Sequence, residues 1–424
     1  MNTTSFSSLI QSIAFEETLN NLYGSDQFEF QKTRYADLAQ RFNESFPNHD
    51  HCDVFSASGR IEIGGNHTDH QLGRVLAMAV DLDTVAFVSP NQDNIIRLIS
   101  KNYSIDPIDL SDLSIHPSEY YTTMGILRGL AYYFKALNGS VGGFDAVVES
   151  RVLSGSGMSS SASIEVLIAK ILDSYYGAGT LDVSDYAIMA QKAENNYFNK
   201  PCGLMDQMVI AHGGFCAIDF YDMNNPIVTK VDSHGLFEPM DLCLVQCGGS
   251  HADLSQDYAE IFEDCRALSH YFNQEVLSRV KSVDFYAQLP SLHTTFDTRV
   301  LLRAHHFFQE NDRVLDLMSA LNTSDRPAFL NHILASGRSS HLYLQNVMNR
   351  HESKQGLALA LMMAEHDLNQ QGAFRVHGGG FAGTILMFVP KKLTALLKVN
   401  FNAVFGEDSF IQVRLREAGV IQVF

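Results

Sequence analysis

Basic residues are scarce in this chain: 30 Lys and Arg stand against 48 Asp and Glu, a formal charge of −18. That balance repels nucleic-acid phosphates and anionic membrane surfaces, and no local basic patch offsets it, so neither nucleic acid nor membrane is expected as a partner. Long apolar runs are missing as well, none approaching the ~18 residues that span a bilayer. The first basic residue is Lys32, and Met1 to Gly24 holds Glu16 and Glu17, so the positive start and apolar stretch of a signal peptide are not seen. Cysteine is sparse: Cys52, Cys202, Cys216, Cys243, Cys247 and Cys265 are too few for a disulfide framework, and Cys243 and Cys247 lack partners for a zinc site. Reduced thiols in a cytoplasmic protein are the expectation.

What is present is a globular composition, 46% hydrophobic and 18% charged over 424 residues, enough for two to four domains or one large two-lobed unit. No repeat period and no Pro-, Ser- or Gln-rich linker divides it, so its parts must pack closely. Apolar patterning predicts strands over 75–89, 144–150 and 384–389, and helices over 161–176, 184–198, 255–272, 298–320 and 354–371. Strands and helices mix without regular alternation, which predicts an α+β architecture with two lobes. The turn-forming segment Tyr221 to Pro226 is the best boundary.

Four clusters concentrate hydrogen-bonding chemistry. Gly155-Ser156-Gly157-Met158-Ser159-Ser160-Ser161-Ala162 lies between a strand and a helix. Glycines there admit an anion close to the backbone, free amides at the helix start point toward it, and a serine hydroxyl can add a ligand to Mg²⁺. On composition alone an ordinary capped helix fits equally well. The Gly-Lys-Ser/Thr ending of a Walker motif is absent. Gly378-Gly379-Gly380-Phe381-Ala382-Gly383 has dinucleotide-loop spacing but leads into an apolar strand, the wrong context for that use. Gly59 to His70 gathers Arg60, Glu62, Asn66, His67, Thr68, Asp69 and His70, suited to a polyol; its histidine spacing matches no metal motif, and a solvated turn is the alternative. Last, Glu194 precedes Asp206 by twelve positions, and Asp206 stands among Cys202, Leu204 and Met205. A partly buried acid needs a cationic partner, for which Arg60 is the candidate.

In this order the clusters resemble the GHMP family of small-molecule kinases and, within it, the galactokinases, over about Tyr35 to Pro390. Gly59 to Asp69 resembles the galactokinase signature, Gly155 to Ala162 the phosphate loop, Cys202 to Gln207 the catalytic-acid segment, and Arg375 to Gly383 the C-terminal glycine motif. The resemblance implies an N-terminal extension (1–26), a sugar- and ATP-binding lobe (27–222) and a C-terminal lobe (223–424), with the reaction in the cleft between lobes. It implies ATP- and Mg²⁺-dependent phosphorylation of the anomeric hydroxyl of galactose. Asp206 would act as base or orienting group, with Arg60 its catalytic neighbour. Asn66, His67, Thr68, Asp69, Gly203 and Tyr258 would bind sugar. Ser100, Gly155, Ser156, Gly157, Met158, Ser159, Ser160 and Ser161 would bind ATP, and Ser161 and Glu194 would hold Mg²⁺. Asn66 stands where galactokinases commonly have Glu, so a kinase for N-acetylgalactosamine, arabinose or galacturonate is the alternative. A non-catalytic sugar- and ATP-sensing regulator is disfavoured, because Arg60, Ser161, Glu194 and Asp206 are all retained.

Overall fold

The computed structural model describes residues 9–101, 105–152, 157–177, 181–223, 225–248, 254–350 and 353–424. The chain opens with two helices, α1 (Ile13–Tyr23) and α2 (Phe28–Ser45), then enters a long antiparallel hairpin of β1 (Asp53–Gly64) and β2 (Arg74–Pro90). Apart from Arg74, Asp81 and the terminal Pro90, every residue of β2 is buried. Such a strand reads as a continuous apolar run because both of its faces are covered. Its length lets it serve several partners: β1 along one edge, and along the other β5 (Phe144–Ser150) beside Thr84–Pro90 and β6 (Phe215–Asp219) beside Arg74–Met78.

Between β2 and β5 the chain makes β3 (Ile95–Ser100), β4 (Ile108–Asp109) and the helix α3 (Thr123–Asn138). β3 pairs parallel with β5, a connection that needs a crossover, and α3 lies within it. After β5 come α4 (Ser160–Tyr176), α5 (Val183–Asn196) and α6 (Met205–His212), followed by β6 and β7 (Ile227–Val231), which completes the first sheet apart from its final strand. The helices α3 to α6 bury Leu127, Phe134, Val166, Ile171, Met189 and Met208 in one continuous core with the sheet residues Phe55, Val75 and Phe144.

The second sheet starts at β8 (Met240–Gln246), whereas β7, which follows the boundary suggested from sequence at Tyr221 to Pro226, still belongs to the first sheet. Helices α7 (Ser255–Tyr271), α8 (Ser282–Ala287), α9 (Leu289–Thr295), α10 (Thr298–Asn322), α11 (Arg326–Ser339) and α12 (Gly356–Leu368) precede β9 (Ala373–His377) and β10 (Thr384–Pro390); α13 (Lys391–Phe405) and β11 (Phe410–Val413) follow. The order is β11-β8-β10-β9, all antiparallel. A shared core joins the two sheets, with Ile61, Ile63, Leu76 and Met78 of the hairpin in one cluster with Leu242, Leu244, Leu386 and Phe388. Each such side chain contributes roughly 1.5–3 kcal/mol when fully buried. The chain end then returns, β12 (Ile421–Gln422) pairing with β1 to complete the eight-stranded first sheet. Among the described residues no helix is long and apolar enough to cross a membrane.

Strands and helices predicted from patterning fall where expected to within a few residues, as in α10 and β10. The polar stretch beginning at Gly59 does not wait for a strand: its first six residues lie inside β1, because the charges of Arg60 and Glu62 meet partners in the interior.

Candidate active site

Arg60 leaves β1 between two irregularities, register shifts at Ser58/Gly59 and at Glu62/Gly64. Bulges of this kind re-aim a side chain out of a regular pleat. The guanidinium is nearly buried, 7% exposed, against 28% for the carboxylate of Asp206. Arg60 Nε donates to Asp206 Oδ1 at 2.6 Å, and Nη2 lies 2.6 Å from Oδ2, the two-pronged geometry that fixes both groups at once. Nη1 donates to the carbonyl of Gly157, and Nη2 to Ser159 Oγ at 2.7 Å. Asp206 sits in the first turn of α6, where the helix dipole favours a carboxylate.

Ser159 takes the N-cap position of α4 in a left-handed conformation, φ +57°, yet its side chain caps no amide. Its hydroxyl is bonded to Asp206 instead. An N-cap serine ordinarily satisfies one of the free amides of the first turn; here those amides stay available to an anion beside Ser160 and Ser161. Met158 is fully buried, and its carbonyl accepts from the Arg60 amide at 3.4 Å, tying this segment to β1. The predicted contacts Gly155 and Ser156 lie outside the described residues. Ser100 ends β3, in register with Val148 of β5. Because those strands are parallel, it lies at the sheet edge from which the chain leaves β5 toward Gly157.

Ser161 and Glu194 come together, Ser161 Oγ donating to Glu194 Oε1 at 3.4 Å. Lys200 Nζ stands 3.0 Å from the same oxygen. Gln207 Nε2 donates to Glu194 Oε2 at 3.0 Å and to Glu165 Oε2 at 3.2 Å, a bridge between two buried carboxyls. Burial, reinforced by Glu194, pushes the Glu165 carboxyl well above the usual range. The sequence reading missed Glu165 and Gln207; the signal was there for Glu165, one helical turn after Ser161 on the same face.

The predicted sugar residues converge beside Asp206. A Cβ on Gly203 would stand 2.2 Å from Asp69 Oδ2, so only glycine lets the two segments approach. Burial, with Asp206 nearby, raises the Asp69 carboxyl. His67 stacks on Tyr258, centroids 6.2 Å apart, and burial lowers its pKa to about 4. The C-terminal glycine loop closes over this group: the carbonyls of Gly378, Gly379 and Gly380 accept from Asn66 Nδ2 (2.8 Å), His67 Nε2 (2.9 Å) and Tyr258 Oη (3.1 Å). The Thr68 hydroxyl is spent on the carbonyls of Gly65 and Arg74.

Asn66 is placed differently from a residue facing a ligand. It is fully buried, Nδ2 also donating to Glu62 Oε1 at 2.9 Å, while Oδ1 accepts from Asn346 (2.9 Å) and Ser340 (3.2 Å). Both donors and both lone pairs are thereby used within the protein. Beneath it, Arg375 of β9 pairs with Glu62 at 2.7 Å and bonds the carbonyl of Ile63 at 2.8 Å. Both residues lie in motifs the sequence shows, but their pairing is not legible there because it spans 313 positions of chain.

Residues 40–90 match the galactokinase galactose-binding signature, and residues 125–214 match the N-terminal domain of the GHMP kinases. Among solved structures, the galactokinase of Lactococcus lactis in complex with galactose aligns with a TM-score of 0.78 at 21% identity, covering 92% of this chain and 100% of that one. The mevalonate kinase of Methanococcus jannaschii aligns at 0.61 and 16% identity, over 86% and 98%. The phosphomevalonate kinase of Streptococcus pneumoniae aligns at 0.59 and 12% identity, over 85% and 98%. At these identities the structural likeness is one of fold. The fold, and the match over residues 125–214, are those of small-molecule kinases of the GHMP type. Within that class, the signature matched over residues 40–90 is the one that galactokinases carry.

Proposed function

We propose that the protein transfers the γ-phosphoryl group of ATP to the anomeric hydroxyl of galactose, giving galactose 1-phosphate and ADP. One observation carries the reading: a single guanidinium, Arg60, joins the partly exposed carboxylate of Asp206 to Gly157 and Ser159 at the open start of α4. Phosphoryl transfer passes through a loose transition state that asks little covalent chemistry of the protein and much positioning. Asp206 accepts the hydroxyl's proton or aligns it, and Arg60 faces the charge on the phosphoryl oxygens. Asp69, His67, Tyr258 and the Gly203 backbone supply the sugar side.

The donors at Ser161 and Glu194 are hard oxygens suited to Mg²⁺, which takes few protein ligands and fills its shell with phosphate oxygens and water. Bound there, the ion would offset charge on the β- and γ-phosphates. Gln207 holds Glu194 in place through its Oε2. The six cysteines are free thiols, which suits a cytoplasmic setting for an ATP-dependent enzyme.

The test is ADP release from Mg²⁺-ATP across galactose, glucose, N-acetylgalactosamine, arabinose and galacturonate, with products identified by NMR. Galactose-dependent turnover with phosphate on the anomeric oxygen is expected. A second acceptor has one observation in its favour: Asn66 has no spare hydrogen-bonding group for a sugar hydroxyl. Turnover on another sugar alone would select that acceptor, and sugar binding without turnover on any would make the protein a sensor.

A further inference from the structure

We propose that His377 is a nucleotide contact of this site, its Nδ1–H donating a hydrogen bond to an oxygen of the phosphoryl group that ATP transfers. The proposal rests on the kinase reading and adds to it a residue outside the predicted set. His377 ends β9, immediately before the glycine loop, and is 2% exposed. The backbone N–H of Glu62 donates to its Nε2 at 3.1 Å. A backbone amide can only donate, so Nε2 must accept, and the proton of the neutral ring is on Nδ1.

That Nδ1 is buried and has no hydrogen-bond partner among the described residues. Buried donors are rarely left unmet, and one that is unmet calls for an explanation. Its direction supplies one. Nδ1 lies 3.1 Å from where a Cβ on Gly157 would stand, the ring edge meeting the chain at the residue whose carbonyl already accepts from Arg60. Gly157 has φ +77°, so only glycine both adopts this backbone and leaves the imidazole room. His377 Nδ1–H, Arg60 and the uncapped amides of α4 therefore border one small region. An anion there would meet a cation and a neutral donor, the combination that holds a phosphoryl group without a second positive charge. Burial first, then Arg60 and Arg375, hold the pKa of this imidazole well below its ordinary value, so the ring stays neutral near pH 7 and keeps Nε2 as an acceptor.

His377 also works as a strut between β9 and β1 through Glu62, and two substitutions separate the roles. In His377→Gln the longer amide reaches the place of Nε2 and can accept from Glu62, which keeps the strut and deletes the Nδ1 donor. In His377→Asn the amide nitrogen takes the place of Nδ1, which keeps the donor and deletes the strut. The experiment measures kcat/KM for ATP, KM for sugar, calorimetric affinity for the non-hydrolysable MgAMPPNP, and Tm. The expected result is a loss of about 10- to 100-fold in kcat/KM for ATP in His377→Gln, with weaker MgAMPPNP binding and unchanged sugar KM and Tm. His377→Asn should lose Tm while staying nearer the unaltered protein in its ATP parameters. His377→Gln within about twofold of the unaltered protein in both ATP measures would overturn the proposal, as would ATP losses that follow Tm in both variants. Absence of turnover by the unaltered protein on every sugar overturns the kinase reading instead, and the MgAMPPNP comparison then still decides His377. If the unaltered protein binds no MgAMPPNP, both fall.

Discussion

Two arginine–aspartate assemblies in this molecule use the same groups to different ends. Asp83 of β2 is fully buried: Arg34 Nη1 reaches Oδ1 at 2.7 Å, while Tyr23 Oη (2.6 Å), Arg416 Nη1 (3.1 Å) and Ser56 Oγ share Oδ2. Its partners come from α1, α2, β1 and the C-terminal segment, so one carboxylate locks both ends of the chain to the first sheet. Despite its burial, Arg34 and Arg416 hold the Asp83 carboxyl below its ordinary range. Asp206 also holds an arginine by two prongs, but its carboxylate keeps 28% of its exposure. The closed knot has no room for a reactant; the open one keeps its charge partly exposed. Solvent access and neighbours, and not residue type, separate a structural ion pair from a reactive one.

The contrast can be broken from either side. Asp83→Ala leaves the buried guanidinium of Arg416 without a carboxylate and Arg34 with Glu149 alone, and should cost about 3–5 kcal/mol in urea unfolding, with kcat of the remaining folded enzyme near normal. Lost turnover at full stability would give Asp83 a role in the reaction. Asp206→Asn should do the reverse, lowering turnover at least ~10²-fold while sugar binding, ATP binding and Tm stay within error; near-normal turnover would remove Asp206 from its assigned role. Gln207→Leu should raise the Mg²⁺ concentration for half-maximal rate by about 10-fold, since Gln207 holds Glu194 from behind. An unchanged Mg²⁺ dependence would detach Glu194 from the metal.

The smallest effect is in pH. Burial depresses His67 to about 4 and His70 to about 3 from 6.5, so the unfolded chain takes up protons first as pH falls. Their contribution is complete above 6.5 and is lost on acidification toward those values. The loss is at most about 1.4 kcal/mol for each ring over the first pH unit below 6.5, and less because both rings keep some contact with water. Denaturation midpoints that stay flat from pH 7 to 5.5 would show the histidines open to solvent in the folded state.

Much of the site was legible because its chemistry is local in sequence. Gly157 to Ser161 lie consecutively at one helix start, and Arg60 with Asp206 follows from a simple rule that a partly buried acid needs a cation. The surroundings of Asn66 were not legible for the opposite reason: its donors and acceptors are filled by Glu62, Ser340, Asn346 and Gly378, three of them far along the chain. Glu62, Arg375 and His377 stand inside motifs visible in the sequence, but their roles were not legible there because their partners lie 313 and 315 positions away. The first two helices escaped notice, since their mixed polar pattern gives no hint that Tyr23 and Arg34 reach Asp83.

Composition, the buried strand β2 and the ordered motifs were thus determined by the sequence alone, since apolar periodicity and backbone needs such as glycine at Gly157 are properties of short segments. Which carboxylate is sealed and which stays open, which asparagine is spent, and which imidazole nitrogen is left without a partner were decided only by tertiary packing. Burial and hydrogen-bond saturation depend on groups that meet across hundreds of residues, as Glu62 and His377 do, and no short segment encodes them.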